Sequence, residues 1–110
     1  MEGPRIQIQE ELLLAKQSRL EGNEGRARVC ARRAAGAAVQ VYLDKKGLSQ
    51  KSDNALESLV RIAEVEELPD RIKNAVNWLI KRVDADYNLP LEVDLIHEAG
   101  IVIQYVEGDG

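Results

Sequence analysis

The chain has no Phe and only one Cys, one His, one Met and one Trp in 110 residues, with aromatics at 4%. A single Cys excludes an intramolecular disulfide framework, and with a single His it also excludes an ordinary zinc site of nitrogen and sulfur ligands. Such sparing use of Cys fits a reducing compartment. No apolar run approaches the ~20 residues needed to cross a bilayer. The opening MEGPRIQIQEE has neither the basic start nor the apolar stretch of a secretory signal. The expectation is therefore a soluble cytoplasmic protein without membrane contact. A phosphate-cradling loop is missing as well, because GNEG at residues 22–25 lacks a following Lys-Ser/Thr and a preceding strand.

What is present is 45% hydrophobic and 31% charged residues, enough for one domain over residues 1–110 with a core that needs no metal or disulfide. The net charge of -4 hides an asymmetry. Residues 1–55 carry ten Lys/Arg against seven Asp/Glu, a balance of +3, and residues 56–110 carry five against twelve, a balance of -7. Arg26, Arg28, Arg32 and Arg33 crowd into eight residues. Such a cluster can neutralise phosphates or pair with the acidic second half of the chain, and the acidity of the whole favours the second.

Five amphipathic helices follow from the periodicity. The first runs from about Ile6 to Glu21, with Leu12, Leu13, Ala15 and Leu20 apolar and Gly22 placed for a left-handed cap. The second starts at the Asn23 cap, reaches Lys45 and Lys46, and stops at Gly47. Its apolar stripe is Ala27, Cys30, Ala31, Ala34, Ala38 and Val41, while Val29, Gly36, Val39 and Leu43 lie on another side. A helix apolar on two sides belongs between neighbours, and its Ala and Gly content lets them come close. Beyond the polar linker at 48–53, Asn54 with Glu57 makes a capping box for a third helix, with Leu56, Leu59, Val60 and Ala63, ending near Glu66. Helices four and five open alike at Leu68-Pro69-Asp70 and Leu89-Pro90-Leu91-Glu92, with Pro at the first helical position. Ile72, Ala75, Val76, Leu79, Ile80 and Val83 form the core stripe of the fourth, with Trp78 and Arg82 on a flank. Leu95, Ile96, Ala99, Val102, Ile103 and Val106 form that of the fifth, and Gly108-Asp109-Gly110 is a fraying tail. A strand at residues 101–106 would have no partner. The fold class is all-α, an up-and-down bundle of four main helices plus a short one, with the first two as an antiparallel hairpin.

Catalytic readings find little support. His97 projects off the core stripe of helix five, alongside Ile101 and Gln104, and Asp94-x-x-His97 is one unpaired half of an acid-x-x-His metal unit. Cys30 sits on an Ala-rich stripe as a small hydrophobe. Glu64, Glu66, Glu67, Asp84 and Asp86 lie near helix ends and read as solvated. Trp78 beside Arg82 can stack a base, cover a partner or pack on a neighbouring helix. No catalytic residue, metal ligand set or cofactor is assigned.

The stretch GRARVCARRAAGAAVQVYLDKKG, residues 25–47, resembles the second helix of HEPN-domain proteins, in which a small-residue-rich helix follows a Gly-containing turn and ends near a Gly. The resemblance implies an all-α bundle that often dimerises, and either a toxin-type ribonuclease or a partner of a small nucleotidyltransferase. Nuclease members carry an Arg followed a few residues later by His. Arg82 is the best-placed Arg here and Asn88 stands where the His is wanted, so that motif is not intact. An amide cannot exchange a proton as imidazole does.

The expected function is thus non-catalytic: a HEPN-like homodimer acting through protein association, with a nucleotidyltransferase or toxin–antitoxin counterpart as the kind of partner. Val29, Val39, Leu43, Ile101 and Tyr105 are the candidate dimer surface, since they exceed what one small bundle can cover. The alternative is RNA binding or degenerate ribonuclease function through Arg26, Arg28, Arg32, Arg33 and Arg82.

Overall fold

The computed structural model describes residues 3–48, 54–81 and 93–109. Among them are five α-helices and no strand: α1 (Gly3–Leu20), α2 (Glu24–Lys45), α3 (Ala55–Ala63), α4 (Asp70–Ile80) and α5 (Leu95–Asp109). The linker at 49–53, the Leu89–Glu92 opening of helix five and the core position Val83 lie outside the described residues. Residues 101–106 are helical, and α5 continues to Asp109, past the point where fraying was expected.

Local chemistry sets the boundaries of α2. Gly22 has φ +83°; its amide donates to Arg19 O at 3.0 Å, and that of Asn23 donates to Ser18 O at 2.8 Å. This paired closure of a helix end through a left-handed glycine recurs at Gly47, φ +71°, with Gly47 bonded to Asp44 O and Leu48 to Leu43 O. Between them the Asn23 side chain accepts from the Arg26 amide at 3.0 Å, capping α2. Arg19 meets Glu24 beside the turn and Glu11 meets Arg33 further from it, so α1 and α2 run antiparallel.

Three further boundaries differ from expectation, the first being that α1 starts at Gly3 and not at about Ile6. Helix α3 stops at Ala63, not near Glu66, because the amides of Glu64 and Val65 switch to tighter bonds with Arg61 O and Ile62 O. Glu64, Glu66 and Glu67 would also add negative charge to the negative end of a longer helix. Helix α4 begins at Asp70; Pro69 caps it with ψ 147°, while its carbonyl accepts from the Lys73 amide at 2.9 Å. The capping box of α3 forms as read, with Asn54 Oδ1 accepting from the Glu57 amide at 2.8 Å and Glu57 Oε1 accepting from the Asn54 amide at 3.2 Å.

Helix α2 is central, packed against α1, α3 and α5, with α4 resting on α3 and α5. Its stripe residues Ala27, Cys30, Ala31, Ala34 and Ala38 are buried, and so are Val39 and Leu43 on its other side, while Val41 is half-buried. Leu59, Ile62, Leu79, Leu95 and Val102 complete the core, each contributing about 1.5–3 kcal/mol. A Cβ on Gly36 would stand 2.5 Å from Ala55 Cβ, so the backbones of α2 and α3 cross almost in contact. Helix α1 corrects the sequence reading. Its inward residues are Ile8, Ala15 and Ser18, whereas Leu13 and Leu20 face outward. Among the described residues no helix is long and apolar enough to cross a membrane.

Candidate functional site

The α2 arginines do not form one patch. At about 100° per residue, Arg26 and Arg33 fall on one side of the helix and Arg28 and Arg32 on the roughly opposite side. Arg32 reaches the end of α4, where its Nε donates to Leu79 O at 2.7 Å and its Nη2 to Lys81 O at 3.4 Å. Those carbonyls belong to a helix C-terminus, so the cation satisfies orphan acceptors and opposes the negative end of the dipole. Arg28 lies 3.8 Å from the Glu24 carboxylate and Arg33 lies 3.9 Å from that of Glu11. Both of those acids belong to the first half of the chain. Arg26 is exposed, and Arg82 and Asn88 fall outside the described residues.

Asp94 and His97 meet as a helix cap. Asp94 Oδ1 accepts from the amides of Ile96 at 3.0 Å and His97 at 3.2 Å, and also from Arg19 Nη1 at 2.9 Å. Arg19 in turn forks onto Glu24, Nη2 to Oε2 at 2.7 Å and Nε to Oε1 at 3.0 Å. One guanidinium therefore ties the end of α1 to the starts of α2 and α5. The Arg19 hydrogen bond holds Glu24 below its ordinary pKa against partial burial. Burial pushes Asp94 upward, but the Arg19 bond and the two amides outweigh it and leave it lowered. The Asp94 carboxylate is thus committed to the cap, while the His97 side chain is exposed. Among the described residues no three His, Cys, Asp or Glu side chains group as metal ligands.

The five nominated dimer residues separate. Val39 and Leu43 are fully buried within the single chain and present no surface to a second copy. Ile101 and Tyr105 are half-buried against the same core, the Tyr105 ring 6.5 Å from that of Tyr42. Only Val29 is exposed. The second apolar side of α2 is covered by the chain's own helices, α2 being the element that α1, α3 and α5 share.

Among the described residues are two surface clefts. One of about 630 Å³ lies between α4 and α5, lined by Arg71, Asn74, Asn77, Trp78, Lys81 and Glu98. Lys81 Nζ sits 5.3 Å from the centre of the Trp78 ring, and Arg71 forks onto the buried Glu98 at 3.0 and 3.2 Å. The Glu98 bond holds the Arg71 guanidinium above its ordinary range. The other, about 660 Å³, opens where α1, α2 and α3 meet, around Glu11, Arg33, Gln40, Asp44 and Ser58. There Ser58 Oγ donates to Gln40 Oε1 at 2.6 Å and Gln40 Nε2 donates to Asp44 Oδ1 at 3.1 Å, which links these three side chains, while Glu11 Oε1 is buried without a hydrogen-bond partner among the described residues.

The most distinctive surface feature lies on α1, where sequence reading named Leu13 and Leu20 as apolar positions without giving them a side. Ile6, Leu13 and Leu20 are 49%, 56% and 87% exposed, half of the six exposed large apolar side chains among the described residues. Their seven-residue spacing, as against the inward Ile8 and Ala15, was the available signal. Cys30 is buried, as its stripe position implied. No family model, no curated protein and no solved structure matches this chain.

Proposed function

We propose that this chain is a non-catalytic, HEPN-like helical bundle that acts by protein association, as a homodimer able to engage a further protein partner of the nucleotidyltransferase or toxin–antitoxin kind. One observation carries the reading: the exposed apolar row Ile6, Leu13 and Leu20 runs along the outward side of α1. A run of apolar side chains held out on one helix face is a contact surface, unlike singly scattered surface leucines. Three groups that could take part in chemistry have structural roles instead. Asp94 caps α5, Arg32 caps α4 and Cys30 fills the core.

Light scattering behind size exclusion tests the reading. The expected result is a mass that rises toward twice 12.3 kDa as loading concentration increases. A mass fixed at 12.3 kDa at the highest attainable concentration refutes the homodimer.

A further inference from the structure

We propose that the outward face of α1 pairs with the same face of a second copy, the two α1 helices running parallel about a two-fold axis along their length. The proposal rests on the association reading and adds to it a surface, an orientation and a set of contacts.

The support lies in how charge flanks the apolar row. Measured from Leu13 at about 100° per residue, Ile6 and Leu20 lie within about 20° of the row's centre line. On one side Gln17, Glu10 and Glu21 follow at about 40°, 60° and 80°, and on the other Gln9, Lys16 and Arg5 follow at the same angles. Glu21 lies just past α1 but keeps the helical path, its amide donating to Gln17 O at 3.0 Å. The row thus has one acidic edge and one basic edge, each behind a glutamine. All these residues are exposed, and Arg5, Glu10, Lys16 and Glu21 make no ion pair among the described residues.

Symmetry then decides orientation. In an antiparallel dimer the two-fold axis crosses the helices and sets each edge against its own copy, so Glu10 and Glu21 would face Glu10 and Glu21. In a parallel dimer the axis runs along the helices and sets the acidic edge against the basic one. Arg5 then faces Glu10 of the second copy and Lys16 faces its Glu21, both five residues further along. This is the offset at which flanking charges meet across parallel coiled helices. Ile6, Leu13 and Leu20 each meet their own counterpart on the axis. Three apolar layers make a small interface, so association is weak and concentration-dependent.

Two measurements test the pairing. In sedimentation equilibrium between about 10 and 500 µM, Leu13→Asp is expected to raise the dimer dissociation constant at least about tenfold without loss of helical circular dichroism, since Leu13 supports no core contact. Arg5→Glu alone raises it about threefold, and Arg5→Glu with Glu10→Arg brings it back to within about twofold. In the second measurement, Ile6→Cys and Leu13→Cys each form disulfide-linked dimers under mild oxidation. An antiparallel pair would link Leu13→Cys only, because its Ile6 positions stand about 20 Å apart. Dimers indifferent to Leu13→Asp would overturn this interface while leaving association intact. Linking through Leu13→Cys without Ile6→Cys would overturn the orientation, and a strictly monomeric chain would overturn both the interface and the association reading.

Discussion

The guanidinium of Arg32 on α2 donates to the carbonyl oxygen of Leu79 in the last turn of α4 at 2.7 Å, across 47 positions of chain. A side chain that a phosphate-binding reading would leave in solvent instead closes a helix end. Replacing it leaves the Leu79 carbonyl, in a part-buried bond, without this donor, and hydrogen bonds from charged groups are worth more than neutral ones.

Arg32→Ala is therefore expected to lower unfolding free energy by about 1–3 kcal/mol. Arg26→Ala, on an exposed side chain of the same cluster, is expected to change it by no more than about 0.5 kcal/mol. Urea denaturation of the two variants measures the contrast. Equal, small effects would return Arg32 to the surface and remove its role in closing α4.

The Arg19 hub has a pH signature. Glu24 and Asp94 both hold lowered pKa values in the folded chain, so folding releases protons that the unfolded chain would bind. Their stabilisation is complete above the ordinary values of 4.5 and 3.8 and is lost as the pH falls below those through the depressed ones. Both carboxylates are 43–49% exposed, so solvent screening limits the contribution of each to about 1 kcal/mol or less. Urea midpoints taken from pH 7 to pH 3 should decline through the acid range, and Arg19→Met should flatten part of that decline. An identical acid slope in Arg19→Met would remove the hub as its cause.

These cases separate what local chemistry announces from what only packing decides. Asn23, Gly22, Gly47 and the Asn54–Glu57 pair act within a few residues of themselves, and the ends of α2 and the start of α3 were legible for that reason. The α4 stripe was legible because its apolar residues occupy one side only. Helix α1 was not, because Ile6, Ile8, Leu12, Leu13, Leu14 and Leu20 surround it. The choice of inward side fell to Ile8, Ala15 and Ser18, two of them small enough for close approach to an Ala-rich neighbour. Arg19 to Asp94 spans 75 positions and Arg71 to Glu98 spans 27. A helical wheel shows that a charge lies on a side but cannot name a partner so distant.

One substitution made at two places should have opposite signs. In an exposed helix interior Gly→Ala stabilises, since Ala loses less backbone freedom and has the higher helix propensity by about 1 kcal/mol. Gly100 in α5 has nothing within 4 Å of an added Cβ, so Gly100→Ala is expected to be neutral or to stabilise by up to about 1 kcal/mol. Gly36 in α2 is also helical, but its added Cβ would stand 2.5 Å from Ala55 Cβ, 2.6 Å from its Cα and 2.9 Å from its carbonyl oxygen. Backbone cannot rotate aside as a flexible side-chain end can, so α3 has to move away from α2 as a unit. That shift also disturbs Leu59 and Ile62, which α3 buries. Overpacking of this kind costs about 1–3 kcal/mol and exceeds the propensity gain, so Gly36→Ala is expected to destabilise on balance. Thermal unfolding of the two variants beside the parent chain reads both signs at once. If Gly36→Ala unfolds at or above the parent temperature, the close crossing of α2 and α3 is wrong.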